Sequence, residues 1–428
     1  MTRLAILGGE PAVSTPDGDP PGIPAEALQS ALRLLRAART NAERLADFEG
    51  TAVTRRFEER FAALVGAEYA VATSSGTAAL VAALLACGVA PGHEVIVSTY
   101  GWGGTAGAVL VIGATPVFVD IDPCTFNMDP EAARAACSAR TRAILATHLF
   151  GHPADISKLT ALAAERGVRL ILDAAQALGA TYADQPIGAW GDVTAFSFGR
   201  GKVLTTGEGG MAVTNDAEIY ERLLLASQHP VRALAEIQSP STRAWVDEVS
   251  LSCRMHPVAA AIGATELQRV PSLLQARRTT CLGLSDALTG IPGFRTPCEA
   301  AGTIHAFHAF PLTYLAEDLG GASRDIALRA LHAEGVPVVA GPVRCPIHLR
   351  ARFRASHHGS LLKPSLGSRV PNPVSAPVAE RRCAGEEVLL ESSSRWLAHP
   401  ARRIEELRRA FEKLAAQCGS LAGVNAVA

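Results

Sequence analysis

Short, wholly apolar runs alternate with amphipathic stretches over most of the chain before residue 270. The runs that predict β-strands lie at 69–73, 94–98, 115–119, 143–148, 168–172, 193–198 and 210–214. Between them apolar residues recur at helical spacing, for example at 53–65, where Phe57, Phe61 and Leu64 share one face. Strands that are apolar throughout and alternate with helices indicate a mostly parallel sheet covered on both faces. The pattern therefore predicts an α/β fold.

The pattern changes after about residue 270. A helix is predicted at 272–288, followed by short strands and loops, a Pro/Ser/His-rich stretch at 355–377 and a last helix at 404–417. The first 25 residues are rich in Gly and Pro and predict an extended arm. Because 428 residues are too many for one ordinary core, we expect more than one domain. The expected division is an N-terminal arm at 1–25, a large domain at 26–270 and a small C-terminal α/β domain at 271–428.

Composition and charge exclude several classes of protein. With 48% hydrophobic and 19% charged residues and a net charge of −1, the chain has no basic surface that would predict nucleic-acid or membrane-surface binding. Its nine cysteines form no Cys-x-x-Cys pair, so neither a metal site nor a disulfide framework is indicated. The N-terminus lacks a signal pattern, and no uncharged apolar run reaches about 18 residues. A cytoplasmic protein is expected.

Lysine is rare, since only four of the 40 basic residues are lysines. Lys158, Lys363 and Lys413 lie in charged or Pro/Ser-rich stretches and predict solvated surface residues. Lys202 instead ends Ser-Phe-Gly-Arg-Gly-Lys at 197–202, a tight loop directly after an apolar strand. A desolvated lysine amine forms an imine with an aldehyde, which an arginine does not. The hypothesis is that Lys202 holds pyridoxal 5'-phosphate (PLP).

Other predicted strand ends carry groups that suit the same cofactor, and ligands of parallel sheets bind at these ends. Ser75, Gly76 and Thr77 open a helix, whose N-terminus suits a phosphate, although these are also ordinary capping residues. Asp173 ends a buried strand, where a carboxylate needs a cation such as a pyridinium nitrogen or several backbone N–H donors. Trp102 is either a stacking partner for the cofactor ring or a core residue.

The order of these motifs resembles the DegT/DnrJ/StrS family of sugar and aminocyclitol aminotransferases, which are fold-type I PLP enzymes. The carrying segments include Ser-Gly-Thr-Ala-Ala-Leu at 75–80, Thr-Pro-Val-Phe-Val-Asp-Ile-Asp at 115–122 and His-Leu-Phe-Gly-His-Pro-Ala-Asp at 148–155. Asp-Ala-Ala-Gln-Ala at 173–177 and Thr-Thr-Gly-Glu-Gly-Gly at 205–210 complete them. The resemblance is specific from about residue 53 to 269 and looser beyond. It implies a large domain with a mostly parallel sheet and a smaller C-terminal α/β domain.

The resemblance implies a role for each matching residue. Lys202 binds the cofactor aldehyde and later moves the proton, and Asp173 pairs with the pyridine nitrogen. The other implied contacts are Gln176 to the phenolic oxygen, Trp102 and Ala175 on the two ring faces, and Gly76, Thr77 and Ser197, beside Ser75, at the phosphate. Related dehydratases carry histidine at the lysine position, so Lys202 points to transamination.

Family members are homodimers with shared active sites, in which an Asn-x-Arg segment from the neighbouring subunit reaches the phosphate. Here that segment is Ser252-Cys253-Arg254. Arg254 matches the family pattern, whereas Ser252 replaces the usual Asn. The resemblance therefore implies a homodimer in which Ser252 and Arg254 lie near the partner's cofactor, and the replaced Asn leaves the Ser252 contact open.

The expected reaction moves an amino group from glutamate or glutamine to a ketone on a sugar or cyclitol in natural-product (antibiotic) biosynthesis. Val203 after the lysine favours a cyclitol acceptor. Arg200 either faces an anionic substrate or is solvent-exposed, and His229 and His348 are substrate-region or structural residues. Two alternatives stay open: a PLP enzyme of this fold that catalyses another reaction on an amino acid, and a PLP-binding regulatory protein without turnover.

Overall fold

A computed structural model describes residues 3–14, 22–247, 251–350, 353, 375–390 and 400–423. The strands are β1 Tyr69–Thr73, β2 Glu94–Ser98, β3 Thr115–Val119, β4 Thr141–Thr147, β5 Arg169–Asp173, β6 Thr181–Tyr182, β7 Gln185–Pro186, β8 Val193–Ser197, β9 Gly210–Thr214, β10 Phe294–Arg295, β11 Thr303–Ile304, β12 Phe310–Tyr314, β13 Val338–Val339 and β14 Glu387–Leu390. The helices are α1 Ala25–Ala38, α2 Ala52–Val65, α3 Gly76–Ala86, α4 Gly103–Val111, α5 Pro130–Ala136, α6 Ile156–Arg166, α7 Ala217–Ser227, α8 Pro230–Glu236, α9 Pro240–Arg243, α10 Pro257–Glu266, α11 Val270–Leu288, α12 Arg324–Ala333, α13 Pro377–Arg381 and α14 Pro400–Gln417.

The central sheet has seven strands in the order β1-β9-β8-β5-β4-β2-β3. Every pairing among β8, β5, β4, β2 and β3 is parallel, and only β9 runs antiparallel to its two neighbours. All residues of β2, β3 and β9 are buried, as expected for strands covered on both faces. The predicted mostly parallel α/β fold is confirmed.

Alternate residues of each strand enter two separate cores, one on each side of the sheet. Ile96 and Ile144 pack with α2 and α6, whereas Val97 and Leu145 pack with α3, α4 and α7. Helix α2 shows why the sequence folds this way locally. Thr51 caps its N-terminus, and Phe57 and Phe61 are fully buried against other aromatic rings. The period of two in the strands and of 3.6 in the helices thus builds three layers.

A smaller antiparallel sheet, in the order β10-β12-β14-β13, forms a second unit with α11, α12 and α14. The predicted N-terminal arm lies along this unit, and its Leu4 and Val13 enter the core. This matches the expected smaller C-terminal α/β domain, while the boundaries at 25/26 and 270/271 stay predictions. Among the described helices, none has both the length and the apolar character needed to cross a bilayer.

The prediction that Lys413 is a solvated surface residue is wrong. It is only 5% exposed, and its Nζ lies 2.9 Å from Glu334 Oε2 and 2.6 Å from Glu10 O. Glu334 is fully buried and accepts hydrogen bonds from backbone N–H groups of the N-terminal segment. Because a buried carboxylate needs a cation, Lys413 is buried beside it. Lys158 is exposed as expected, whereas Lys363 and nearly all of the 355–377 stretch lie outside the described residues.

Candidate active site

A cavity of about 340 Å³ opens at the carboxyl ends of the parallel strands. Nine of the eleven predicted site residues line it, namely Ser75, Gly76, Thr77, Trp102, Asp173, Ala175, Gln176, Ser197 and Lys202. Its wall also contains Arg200, a possible substrate residue in the sequence, and residues that were not predicted, namely Leu80, Gly104, Thr105, Thr147, Gly199 and Glu208. Side chains from five strand ends therefore meet at the place where an α/β sheet binds its ligands.

The N-terminus of α3 forms one wall of the cavity. Ser75 caps this helix, with its Oγ accepting a hydrogen bond from Ala78 N at 3.1 Å. A Cβ on Gly76 would lie 2.7 Å from Ser197 Cβ, so the end of β8 and the start of α3 approach too closely for any side chain. Bare peptide N–H groups and the positive end of a helix are thus presented to the cavity, which suits an anion such as a phosphate.

Asp173 lies at the floor of the cavity and is 5% exposed. Thr105 Oγ1 donates to its Oδ2 at 2.8 Å, and Ala175 N donates to its Oδ1 at 3.1 Å. Burial raises the pKa of Asp173 above its ordinary value, and these two hydrogen bonds and the nearby Lys202 oppose the rise. Two neutral donors and a half-buried amine leave this carboxylate suited to a further cationic partner.

Lys202 follows β8 on a tight loop, where its backbone N donates to Gly199 O at 3.3 Å. Burial lowers the pKa of the Lys202 amine, and the charge of Asp173 acts in the opposite direction. The amine and the Asp173 carboxylate therefore share one cavity and feel each other's charge. A lysine with a lowered pKa is more often neutral, which is the form that attacks a carbonyl.

Gln176 and Trp102 differ in how firmly they are held. Gln176 Oε1 accepts a hydrogen bond from Phe150 N at 2.6 Å, so the amide NH2 group is the end left to donate. Trp102 is 75% exposed at the start of α4. It is therefore not a core residue, and its ring is available to a planar ligand in the cavity.

Ser252 and Arg254 do not line the cavity of their own chain. The Arg254 guanidinium is bonded to Asp47 O and Ser252 Oγ, both at 3.1 Å, and lies 4.8 Å from the centre of the Phe48 ring. Ser252 has a φ of 49°, a region where Asn is more favourable than Ser. The two side chains predicted to act across subunits are thus absent from the lining of the cavity of their own subunit.

The remaining sequence candidates are one cavity residue and two histidines that contact other parts of the chain. Arg200 lines the cavity mouth. His229 caps α8 through Val231 N and stacks on Phe48 with ring centroids 4.3 Å apart. His348 Nδ1 is hydrogen-bonded to Thr99 Oγ1 just after β2. Thr105 could not be predicted from the sequence pattern, because its role depends on its contact with Asp173 in the fold.

The comparisons with known proteins agree with this geometry. The model of the DegT/DnrJ/EryC1/StrS aminotransferase family matches residues 40–360. The chain belongs to this family. The family prediction is confirmed, as is the prediction of an aminotransferase. Membership supports transamination over the two alternatives that the sequence left open.

Individual relatives are also aminotransferases or proteins of sugar biosynthesis. Spore coat polysaccharide biosynthesis protein SpsC of Bacillus subtilis (strain 168) is 38% identical over 65% of this chain and 72% of its own length. A Streptomyces kanamyceticus protein named "Putative L-glutamine:3-amino-2,3-dideoxy-scyllo-inosose aminotransferase" is 31% identical over 93% of this chain and 92% of its own length. The solved aminotransferase from Psychrobacter cryohalolentis superposes with a TM-score of 0.79 at 26% identity, over 94% of this chain and all of that chain. These neighbours confirm the fold-type I architecture.

Proposed function

We propose that this aminotransferase uses PLP to move an amino group from L-glutamine or L-glutamate to the ketone of a cyclitol. The observation that carries the proposal is that Lys202 and Asp173 share a cavity closed by the N-terminus of α3. The amine suits the aldehyde of PLP, the buried carboxylate suits its ring nitrogen, and the helix N-terminus suits its phosphate. The residues present fit this group.

Bound PLP supplies an electron sink that stabilises negative charge at the substrate carbon. Asp173 would pair with the ring nitrogen, and its carboxylate is held in place by the hydrogen bond from Thr105. The Lys202 amine carries the proton to and from the substrate carbon, a task that its lowered pKa favours. Gln176 and Trp102 fix the orientation of the ring.

A cyclitol is favoured over a nucleotide sugar as the acceptor. The Streptomyces kanamyceticus relative matches 93% of this chain, and its name includes a scyllo-inosose as the substrate. Val203, next to Lys202, points in the same direction. The same relative's name carries L-glutamine, which supports an amino-acid donor of that kind.

The functional unit is proposed to be a homodimer. Ser252 and Arg254 lie outside the cavity of their own chain, which leaves them available to a second copy. Helix α1 adds an unpartnered surface, because Leu28, Leu32 and Leu35 are 48%, 45% and 45% exposed along one stripe. An apolar stripe of this kind on a helix is typical of a subunit contact.

A spectral titration tests the proposal. Purified protein loaded with PLP should lose its visible cofactor absorbance on addition of L-glutamine or L-glutamate, and a keto-cyclitol should restore it. Lys202→Ala should abolish both changes, because no amine remains to move the proton, whereas Lys158→Arg should behave as wild type. If every amino donor leaves the absorbance of the wild type unchanged, the proposal fails.

A further inference from the structure

Arg277 is a buried guanidinium without an anion. It lies on α11 and is 5% exposed. Within the part of the chain that the structure describes, no hydrogen bond or ion pair is found for it, and its Nε is fully buried. The next residue, Arg278, is by contrast paired with both carboxylate oxygens of Glu299 at 2.7 and 3.0 Å.

An unpaired charge in this position is costly. Removing a guanidinium from water costs on the order of several kcal/mol unless an anion and hydrogen bonds compensate for the lost hydration. Burial accordingly lowers the pKa of Arg277 from its ordinary value. A folded protein retains such a residue most readily when a ligand supplies the missing anion.

The loop 305–309 connects Arg277 to the candidate active site. On one side, Arg278 Nη1 donates to His305 O at 3.3 Å, which fixes the loop on α11. On the other side, Ala306 N donates to Gly151 O at 2.9 Å. A Cβ on Gly151 would lie 2.9 Å from Gln176 O and 3.0 Å from His308 N, so loop and cavity floor are in close contact.

His308 lies on this loop, and two cations influence its pKa. Burial lowers its pKa well below the ordinary value, and the charges of Lys202 and Arg277 lower it further. The imidazole is therefore neutral at physiological pH and offers one donor and one acceptor. The charges of both Arg277 and Lys202 therefore act on His308.

The backbone beside this space is strained. Phe150 and Phe307 are non-glycine residues with φ values of 56° and 47°. Such conformations cost roughly 1 kcal/mol or more each and persist where surrounding contacts enforce them. Both residues belong to the two segments that meet beside Gln176.

We propose that Arg277 and His308 form a carboxylate-binding subsite that receives the α-carboxylate of the amino donor beside Lys202. This inference rests on the proposed function, in which the donor is an amino acid. The donor always carries a carboxylate, whereas a keto-cyclitol acceptor carries no anionic group. The guanidinium supplies the charge, and the neutral imidazole donates a hydrogen bond.

Measuring the two half reactions separately distinguishes a donor-carboxylate subsite from a residue that affects the whole active site. In Arg277→Gln the L-glutamine concentration at half-saturation should rise by about 10- to 100-fold, the usual effect of losing a charge-assisted hydrogen bond. The second half reaction, of the aminated enzyme with a neutral keto-cyclitol, should stay within about twofold of wild type, because no carboxylate is involved. Arg269→Gln, which removes a surface arginine paired with Glu266 at 3.2 Å, is the matched control and should change neither.

A binding measurement without turnover gives the second readout. Glutarate, which lacks the amino group, should bind the PLP-loaded wild type in calorimetry and bind Arg277→Gln at least about tenfold more weakly. Arg277→Lys keeps the charge but not the planar geometry and should fall between them. Arg277→Met should unfold at the same or a higher urea concentration than wild type, because the uncompensated charge is gone.

The outcomes are separable. If the wild type consumes no amino donor, the proposed function fails and not only the subsite. If the wild type consumes L-glutamine and Arg277→Gln does so with an unchanged half-saturation, the subsite is overturned. The subsite is also overturned if Arg277→Met unfolds at a lower urea concentration than wild type and Arg277→Lys binds glutarate as tightly as wild type. Arg277 would then be a structural residue.

Discussion

At the scale of single residues, the candidate site depends on two groups whose pKa values move toward each other. Burial raises the pKa of Asp173 and lowers that of Lys202. Each charge partly offsets the shift of the other, since the pair is attractive when both are ionised. The neutral amine of Lys202 is consequently present at a lower pH than for a lysine in water. The surface residue Lys158 shows the opposite shift, because its hydrogen bond to Asp155 raises its pKa.

This contrast predicts where PLP reacts. When the protein is incubated with PLP and reduced with borohydride, Lys202 should be labelled at a lower pH than Lys158. The sign follows from the neutral fraction, which at a given pH is larger for the lysine whose pKa is lowered. Mass spectrometry of peptides from samples prepared between pH 6 and pH 10 measures both sites. Labelling of Lys158 at an equal or lower pH than Lys202 would contradict the predicted order.

At the scale of helices and strands, much of the architecture could be read from the sequence. Strands β2, β3 and β9 have the predicted bounds because their apolar runs are flanked by turn residues. Helices α11 and α14 begin earlier than predicted, at Val270 and Pro400, because proline fits the first turn of a helix. The spacing of apolar residues does not predict where a helix begins when its first turn contains a proline.

The candidate site was only partly predictable for a similar reason. Lys202 and Asp173 stand at strand ends, where the order of motifs points to them. Thr105 and Arg277 lie on helices, and their roles depend on which strand or loop packs beside them. Lys413 has the sequence context of a surface residue, yet it neutralises Glu334, which is buried by a segment some 320 residues away in sequence. Contacts of this kind come from the tertiary fold alone.

The start of α3 permits a test of the close approach between helix and strand. Gly76→Ala places a Cβ 2.7 Å from Ser197 Cβ and should lower the free energy of unfolding by about 1–3 kcal/mol, the usual cost of overpacking. Gly107, inside α4, has no atom within 4 Å of an added Cβ. Gly107→Ala should therefore be neutral or stabilise the protein by up to about 1 kcal/mol. Urea unfolding of the cofactor-free forms measures both, and equal effects would show that the contact is not tight.

At the scale of the whole molecule, a buried hydrogen bond joins the two units close to β2. The Tyr100 hydroxyl, at the end of β2, donates to Glu387, the first residue of β14. Both side chains are almost fully buried, and burial raises the pKa of Glu387 to about 8. Tyr100 stands two residues before Trp102. A contact between the two units therefore lies close in sequence to a residue that lines the cavity.

Assembly of two copies gives the last prediction. If Arg254 completes the cavity of a partner, a mixed dimer of Lys202→Ala and Arg254→Ala chains has one site in which both residues are wild type. After subunits exchange in an equimolar mixture, activity should reach about one quarter of the wild-type value, because half of the dimers are mixed and each has one intact site. A mixture of Lys202→Ala with Asp173→Ala is the control. It should stay inactive, because both residues line the cavity of one chain and no dimer then has a complete site. Activity in the first mixture no greater than the mean of its two parents would show that Arg254 serves its own subunit.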